Sequence, residues 1–424
     1  MISRLLHTPE GVRDVYGSEC AGKLAVLNRI SQVFYRYGYE EIETPAFEYF
    51  DIFSEERGSV SSREMFKFFD RDNRTLVLRP DMTPPIARCV AKYFMDESLP
   101  VRLCYRERTF INNSSLQGRL KEMTQTGAEL VGDGSIFADA EMVAMAIQAL
   151  QAAGLTRFQV ELGNAEFFEG LVQEAGLDRE TREALRTFIE QKNVFGAEEL
   201  LSGLPVPEPL KLLLLKLPEL FGSIEDIEAV QSMTAHAGAL GAIRRLRQVH
   251  RILESYGLSQ YVSYDLGMLS RYDYYTGILF QAYTYGTGDY IATGGRYDGL
   301  MAQFGWPAPA VGFAIAADRL LLAMSRQGIE AAPPAAHTLV LWKEDAGDAA
   351  LRLAMHLRNN GMRTTLMPVS PADTAETWRE AAARRGIRSL LFLAGTGERI
   401  QFTDTRSGES HFLALSDYLG EGDA

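Results

Sequence analysis

The spacing of apolar residues along the chain predicts a mixture of helices and strands. Between residues 18 and 37, apolar side chains recur three and four positions apart, which places them on one face of a helix, and Gly38 follows as a stop signal. Four shorter apolar runs have the length and the flanking turn residues of strands. These predicted strands are residues 66–69, 75–78, 101–105 and 126–131.

The middle of the chain has a mostly helical pattern. Residues 139–153 predict a second apolar helix with Asp139 in place to cap it. From about residue 167 to 256 the sequence is rich in Leu, Glu and Arg with few strand signals, so we predict a helical insertion. Strand character returns after it, and a helix closes this part of the chain. The predicted strands are residues 262–266, 277–285 and 290–293.

The last quarter of the chain has a different organisation. Residues 328–336 predict a linker, because their prolines and alanines have little to pack against. Strand and helix patterns then alternate up to residue 393, which predicts a small parallel α/β domain, and Ser407-Gly408 predicts the turn of a closing hairpin. We therefore expect a core at residues 1–327, the linker, and a C-terminal domain at residues 337–424.

Composition and charge narrow the function classes. The 424 residues carry a net charge of −13. This charge weighs mildly against nucleic-acid binding, because such a protein must neutralise phosphates with Lys and Arg. The densest basic cluster, residues 244–247, is expected to be a solvated helix face. Three widely spaced cysteines, interpreted as small buried thiols, favour a reducing compartment over a zinc site. With no apolar run of about 18 residues, we expect a cytoplasmic protein that spans no membrane.

Polar residues that follow predicted strands are the candidates for chemistry. Asp81 and Thr83 come soon after the strand that ends at Leu78. Gln125 and Glu129 lie four apart on a strand, so they share one face, and Gly127 between them would leave room for something to sit against the sheet. Further along the chain are the pair Tyr274-Tyr275 and the segment GGRYDGL, which contains Arg296, Tyr297 and Asp298. Carboxylates and an amide on one sheet face can hold an ammonium or an imidazole group.

The order of these segments resembles the class II aminoacyl-tRNA synthetase family, histidyl branch, over nearly the whole length. The first helix followed by TPAFE is similar to motif 1, and RLCYRERTFINNSSLQGRLKEMTQTGAELVG is similar to motif 2. GGRYDGL with VGFAIAADRL is similar to motif 3, and LRPDMT to the family's LRPEGT. The resemblance implies an α/β fold of the α+β type, with an antiparallel sheet core, helices and a C-terminal domain like the anticodon-binding domain. It also implies a homodimer, with Pro45 at the interface.

Two departures from the family concern the cations of its reaction. The family carries an FRHER-like stretch in the motif 2 loop, whose arginine grips the α-phosphate of ATP; this chain has Ile111 at that position. The family's LVRGLDYY has a second arginine where this chain has Ser270, and Arg271 is one residue along. Loss of one preorganised cation costs roughly a thousandfold in rate, so losing both leaves little activity.

The amino-acid pocket of the family is largely kept. The positions that the resemblance assigns to a histidine site carry two carboxylates, hydroxyls and an amide. They are Asp81, Thr83, Gln125, Glu129, Tyr274, Tyr275 and Tyr297, with Arg271 and Arg319 as further candidates. Asp81 replaces a family Glu and is one methylene shorter. We expect no catalytic residue, no metal and no cofactor, with histidine as an allosteric ligand.

A pocket without the reaction's cations resembles the ATP phosphoribosyltransferase regulatory subunits, paralogues of histidyl-tRNA synthetase. TPEGVRDV and LRPDMT are similar to that group. The resemblance implies a partner, the short catalytic phosphoribosyltransferase, in a hetero-oligomer that makes phosphoribosyl-ATP and is inhibited by histidine. No tRNA is expected, because residues 337–424 have mixed charge and no aromatic-and-basic stripe.

Two other interpretations stay open at the level of sequence. The first is an active histidyl-tRNA synthetase, in favour of which stands Arg319, where the family has its final ATP-contacting arginine. In the regulatory interpretation, Arg319 is a structural residue bonded to a neighbouring carboxylate or strand end. The second is a histidine-sensing module with an unrelated partner.

Overall fold

The chain forms two compact units, Met1–Ala331 and Ala332–Ala424. The structure, a computed structural model, describes residues 6–53, 60–98, 100–113, 120–269, 275–331, 337–343 and 345–419. The predicted linker falls at the division between the units. Each unit has its own sheet and its own core.

A mixed nine-stranded sheet is the base of the first unit. Its spatial order is β1-β5-β6-β12-β11-β10-β7-β9-β8, antiparallel except where β1 pairs with β5 and β7 with β9. The antiparallel core and the α/β fold class are confirmed. The strands are β1 Glu40–Glu41, β5 Val101–Phe110, β6 Glu122–Val131, β7 Phe158–Asn164, β8 Phe221–Gly222, β9 Val262–Asp265, β10 Ile278–Thr284, β11 Ala292–Arg296 and β12 Ala310–Ala316.

A second, small antiparallel sheet precedes the β5–β6 hairpin in the chain. It has the order β2-β4-β3, with β2 Phe47–Tyr49, β3 Lys67–Phe69 and β4 Thr75–Leu78. The turn between β3 and β4 is held by Asp70, whose carboxylate accepts hydrogen bonds from the backbone of Asp72 and Arg74. This is the hairpin that the sequence predicts, shorter by one residue at its first strand.

The helices of the first unit divide between the two faces of the large sheet. They are α1 Gly17–Arg36, α2 Thr83–Tyr93, α3 Ile136–Ala153, α4 Ala165–Glu174, α5 Arg179–Glu190, α6 Val194–Ser202, α7 Glu208–Lys216, α8 Ile224–Ala229, α9 Ala237–Ser255, α10 Asp298–Gln303 and α11 Ala317–Arg326. α1 and α3 pack with Ala128 and Leu130 on one face. α2 and α10 pack with Leu103 and Tyr105 on the other face, where the candidate site is found.

Helix α3 is the central helix of the core. Its length and apolar composition match those of a membrane-crossing helix, but 67% of that window is buried inside the unit, as in a core helix. Ser135 caps it, accepting a hydrogen bond from the backbone N–H of Ala138. The predicted cap, Asp139, is wrong: it lies inside the first turn and its side chain is fully buried.

Asp139 instead accepts hydrogen bonds from two arginines. Its Oδ1 takes the Nε–H of Arg296 at 2.8 Å, and its Oδ2 takes the Nε–H of Arg245 at 2.6 Å. Arg296 also donates to Asp298. The network joins α3, the insertion helix α9 and the end of β11. The expectation that residues 244–247 form a solvated face is therefore wrong for Arg245, and Leu246 is buried.

The cysteines differ from the sequence expectation in their burial. Cys104 is buried under α1, but Cys20 and Cys89 are only half-buried. All three are free thiols.

The second unit is a five-stranded sheet with helices. Strands β14, β13 and β15 are parallel, and β16 and β17 add an antiparallel hairpin, as the sequence predicts. Its elements are β13 His337–Trp342, α12 Gly347–Asn359, β14 Arg363–Pro368, α13 Ala375–Arg384, β15 Ser389–Leu393, β16 Arg399–Asp404, β17 Ser410–Ala414 and α14 Leu415–Leu419.

One surface of the second unit brings two cations and two aromatic rings together. The Lys343 ammonium lies over the ring of Phe392, and the Arg399 guanidinium over the ring of Phe412. All four side chains line a cavity of about 250 Å³. The sequence did not indicate this cluster, because its members come from three different strands and one strand end.

The Asp139 network generates a stability prediction. In Asp139→Asn, two largely buried guanidiniums lose their shared carboxylate, and we expect a loss of about 3–5 kcal/mol in the free energy of unfolding. Denaturant titration of the full chain measures it. The control is Asp72→Asn, which removes an ion pair with Arg74 at the surface and should cost under about 1 kcal/mol. Equal losses in the two variants would contradict the structural role given to Asp139.

Candidate functional site

The candidate site is built on the face of β6 that carries Gln125, Gly127 and Glu129. Strand alternation puts these three on one side, and Thr126, Ala128 and Leu130 on the other. Leu130 and Ala128 pack into the main core. The alternation of the strand therefore places Glu129 on the opposite face of the sheet, under helix α2.

Glu129 is the centre of the site. Its residue is 1% exposed, yet its carboxyl group carries two hydrogen bonds. Oε1 accepts from the hydroxyl of Thr83 at 2.9 Å, and Oε2 accepts from the hydroxyl of Tyr297 at 2.5 Å. Thr83 is the first residue of α2, and Tyr297 lies between β11 and α10. Three of the residues named from the sequence are thus brought into direct contact.

Burial changes the protonation of this group. Desolvation raises the pKa of Glu129 from 4.5 to about 8, against the lowering effect of its bonds from Tyr297 and Thr83. The Asp81 carboxylate nearby adds to the increase. Burial likewise raises the pKa of Tyr297 well above its ordinary value. Burial and the nearby Asp81 carboxylate therefore both favour the protonated form of Glu129.

Three glycines make room for the side chains of the site. A Cβ on Gly312 would overlap Oε2 of Glu129, and one on Gly295 would stand 2.7 Å from the ring of Tyr275. A Cβ on Gly127 would stand 2.7 Å from the hydroxyl oxygen of Tyr105. The room that the sequence analysis expected at Gly127 is taken by the ring of Tyr105, its cross-strand partner.

Tyr105 is a site residue that the sequence analysis missed. It is 2% exposed, and its hydroxyl oxygen is buried without a hydrogen-bond partner among the described residues. Burial, with smaller effects from Glu129, Asp81 and Tyr275, raises the pKa of its hydroxyl well above the ordinary value. In the sequence Tyr105 only ended an apolar run; its pairing with Gly127 was the signal available.

The remaining predicted residues lie around this buried centre. Asp81 is half-buried, and its carboxylate accepts from the backbone N–H of Met82 at 2.7 Å. Gln125 is half-buried, with its Oε1 buried and unpartnered among the described residues. Tyr275 is half-buried. Ser270, Arg271 and Tyr274 lie outside the described residues, so their predicted roles stay predictions.

The motif 2 loop enters and leaves at defined positions. Ile111 is half-buried, and its backbone N–H donates to the carbonyl of Lys121. The backbone N–H of Asn112 donates to the carbonyl of Glu64. The tip of the loop, residues 114–119, lies outside the described residues.

Arg319 takes part in local structure. Its guanidinium pairs with the carboxylate of Asp289 at 3.0 Å, donates to the carbonyl of Tyr290 at 3.0 Å and lies over the ring of Tyr290. These contacts match the structural alternative considered for this residue. Its predicted ligand role stays untested.

Two charged residues fix the segments that resemble the three motifs relative to one another. Asp318 accepts from Lys23 of α1 and from the backbone N–H of Thr124 on β6, both at 2.7 Å. Arg79, 2% exposed, donates to the carbonyls of Thr44 and Arg108, and pairs with Glu107. Asp318 thus positions β6, the strand that carries Glu129, and Arg79 positions its neighbour β5.

A cavity of about 850 Å³ lies beside the N-terminal segment, between α1 and the β5–β6 hairpin. Its lining includes Arg79, Arg108 and Lys23, which pair with Glu107, Glu122 and Asp318. Glu129 does not line it. Among the described residues, no group of His, Cys, Asp or Glu side chains is arranged to hold a metal ion.

Comparison with known proteins identifies the family. Residues 11–320 match the histidyl-tRNA synthetase family model. The ATP phosphoribosyltransferase regulatory subunit of Acetivibrio thermocellus is 40% identical over 414 residues, 98% of each chain. A crystal structure of an ATP phosphoribosyltransferase regulatory subunit/histidyl-tRNA synthetase from Bacillus halodurans is 31% identical, with a TM-score of 0.83, covering 92% of this chain and 99% of that one.

The fold itself extends to more distant proteins. The histidyl-tRNA synthetase of Nostoc superposes with a TM-score of 0.80 at 21% identity, over 97% of this chain and 98% of that one. At this identity the likeness concerns the fold alone. The close relatives and the family model together place this chain in the ATP phosphoribosyltransferase regulatory subunit family, within the histidyl-tRNA synthetase fold.

Proposed function

We propose that this chain is a non-catalytic regulatory subunit of an ATP phosphoribosyltransferase complex and that it binds histidine in the site around Glu129. The observation that carries the proposal is a contrast within one sheet face. The buried acceptor Glu129 keeps two ordered donors, while Ile111 stands where the synthetases have a phosphate-binding arginine. The names of the relatives support the same role.

The polar groups of the site differ in burial, and this difference fits the imidazole ring and the ammonium group of a histidine molecule. The buried Glu129, with Tyr297 and Tyr275 around it, suits a planar ring that brings its own N–H donor. The half-buried acceptors Asp81 and Gln125 suit the ammonium group, which retains its charge more readily near water. The candidates for the ligand's carboxylate are Arg271, which lies outside the described residues, or another arginine in its place.

The same pocket lacks a group needed for adenylate formation. An isoleucine side chain donates no hydrogen bond and offsets no phosphate charge, so Ile111 gives no stabilisation to the α-phosphate as bonds change. Arg319 is held by Asp289 and Tyr290. The chain therefore binds an amino acid without activating it.

Regulation then follows from differential binding. The partner is the short-form catalytic phosphoribosyltransferase, a glycosyltransferase that makes phosphoribosyl-ATP in the first step of histidine biosynthesis. Histidine inhibits by binding more tightly to one state of the complex than to the other. The complex is a cytoplasmic hetero-oligomer in which this chain forms a homodimer, and it requires no metal or cofactor from this chain.

An active histidyl-tRNA synthetase is the second candidate. The feature in its favour is the match of residues 11–320 to the synthetase family, with Arg319 at the motif 3 position. That candidate needs free cations at the phosphates of ATP. The ion pair of Arg319 and the side chain at position 111 weigh against it.

Reconstitution tests the proposed function. The full chain is mixed with the short phosphoribosyltransferase of the same organism, ATP and phosphoribosyl pyrophosphate, and product is followed with and without histidine. We expect activity that requires this chain and falls as histidine is added. Product formation that is indifferent to this chain would contradict the regulatory role.

The titration of Glu129 should make the free energy of unfolding of the chain depend on pH. Because its pKa in the fold is about 8 and its ordinary value is 4.5, its stabilising effect is complete below pH 4.5 and is lost as pH rises through about 8. Glu129→Gln mimics the neutral acid and does not titrate. Between these pH values, the wild type should lose up to about 1.4 kcal/mol per pH unit relative to the variant.

Unfolding of both proteins by denaturant at several pH values measures this difference. The comparison cancels the contributions of all other titrating groups that the two proteins share. A difference in stability that stays constant from pH 5 to 8.5 would show that Glu129 is charged throughout, against the assignment made here.

A further inference from the structure

Arg245 connects the helical insertion to the base of helix α3. It lies on α9 of the insertion, and its Nε–H donates at 2.6 Å to the carboxylate of Asp139, in the first turn of α3. Its Nη2 group also donates to the carbonyls of Gly134 and Ser135, at 3.1 Å and 3.4 Å. One side chain of the insertion therefore holds both the start of α3 and the turn before it.

The same turn is also held by Arg296, at the end of β11. Arg296 donates to the other carboxylate oxygen of Asp139 at 2.8 Å and to the carbonyl of Asp133 at 3.2 Å. The Asp133 carboxylate accepts from the backbone N–H of Ser135 at 2.8 Å, which closes the turn. The two arginines thus share one carboxylate and one turn, although they come from distant parts of the chain.

Both members of the hydrogen bond at the centre of the candidate site adjoin this network in the chain. Glu129 lies on β6, which ends at Val131, just before Asp133. Tyr297, whose hydroxyl donates to Glu129, directly follows Arg296. Hydrogen bonds weaken steeply as their distance and angle change. A shift of the turn or of the end of β11 would therefore alter the bond between the Tyr297 hydroxyl and the Glu129 carboxyl group.

The burial of the two groups shows what removal of Arg245 would change. The Asp139 side chain is fully buried, whereas that of Arg245 is 25% exposed. Without Arg245, the Asp139 carboxylate keeps its bond from Arg296 but loses its second donor, and the turn loses two bonds. A buried charge that loses a partner is poorly compensated, so its surroundings rearrange. The chain should still fold, because one ion pair remains in the interior.

We propose that Arg245 is a positioning residue for ligand binding, through which the helical insertion and the site around Glu129 are energetically coupled. This rests on the proposed function, since the ligand is taken to be histidine. With Arg245 in place, the turn and the end of β11 keep Glu129 and Tyr297 at the separation that the ligand requires. By linkage, ligand binding favours the docked position of α9 to the same extent.

The experiment compares Arg245→Met with Arg247→Met, a matched control on the same helix. Arg247 pairs with Glu228 within the insertion at 2.7 Å, and its side chain is 48% exposed. Methionine keeps an unbranched apolar side chain, so the packing of the arginine stem is largely retained. Arg245→Lys tests rescue, because lysine keeps the charge and a donor for Asp139 without the planar fork. The full chain is titrated with L-histidine by calorimetry, and its unfolding by denaturant is measured without ligand.

The expected results separate positioning from a purely structural role. Arg245→Met should remain folded and raise the Kd for histidine about threefold to tenfold, and Arg245→Lys should fall between it and the wild type. Arg247→Met should leave the Kd unchanged. In a Tyr297→Phe background, Arg245→Met should change the Kd by less than about twofold, because the bond that it positions is already absent.

Failures of this inference and of the proposed function are distinguishable. If the wild type binds histidine and Glu129→Gln weakens binding, but Arg245→Met keeps the wild-type Kd, this inference alone is wrong, even where that variant loses stability. It is also wrong if Arg247→Met raises the Kd equally, if Arg245→Lys binds no better than Arg245→Met, or if the effect is undiminished in the Tyr297→Phe background. If Tyr297→Phe abolishes binding, the three arginine variants decide alone. If the wild type does not bind histidine, the proposed ligand and this inference are both overturned.

Discussion

The burial of the Glu129 carboxyl group is the constraint on which the site depends. Taking a carboxyl group out of water is unfavourable unless hydrogen bonds compensate, and here Thr83 and Tyr297 supply them from two separate elements. The two donors must then stay in place, so the start of α2 and the end of β11 are fixed against β6. Glycines at positions 295 and 312 permit the close approach. One buried acceptor therefore determines both the shape and the polarity of the pocket.

Three charged residues around the pocket hold distant segments of the chain together. Arg79, Asp318 and Arg296 each join segments far apart in the chain. Arg296 directly precedes Tyr297 in the chain and is bonded to the buried carboxylate of Asp139. The Asp139 network therefore helps to position Tyr297, which donates a hydrogen bond to Glu129.

Strand alternation made part of this site predictable from the sequence. Gln125 and Glu129 had to share a face because a strand repeats every two residues, and the α/β fold follows from the order of helix and strand patterns. The contact of Glu129 with Thr83 and Tyr297 rested on the family resemblance, because no local pattern joins positions 83, 129 and 297.

Other features could not be predicted from local patterns. Asp139 is a residue type that often caps helices, but Ser135 is the residue that accepts from the first free backbone N–H groups of the helix. Asp139 instead accepts hydrogen bonds from two arginines that are distant in the chain. Tyr105 counted as an apolar strand residue, since only the cross-strand register reveals that it covers Gly127. The cations over Phe392 and Phe412 come together only when separate strands and a strand end are assembled into the second sheet.

The central claim is that this pocket binds histidine without activating it. Histidine-dependent exchange of pyrophosphate into ATP, measured on the pure chain at a histidine concentration shown by calorimetry to saturate the site, tests the claim most directly. The account predicts saturable histidine binding with no exchange above the background without histidine. Exchange at the rate of an active histidyl-tRNA synthetase would contradict it, because the cations lost at the phosphates would then be unnecessary.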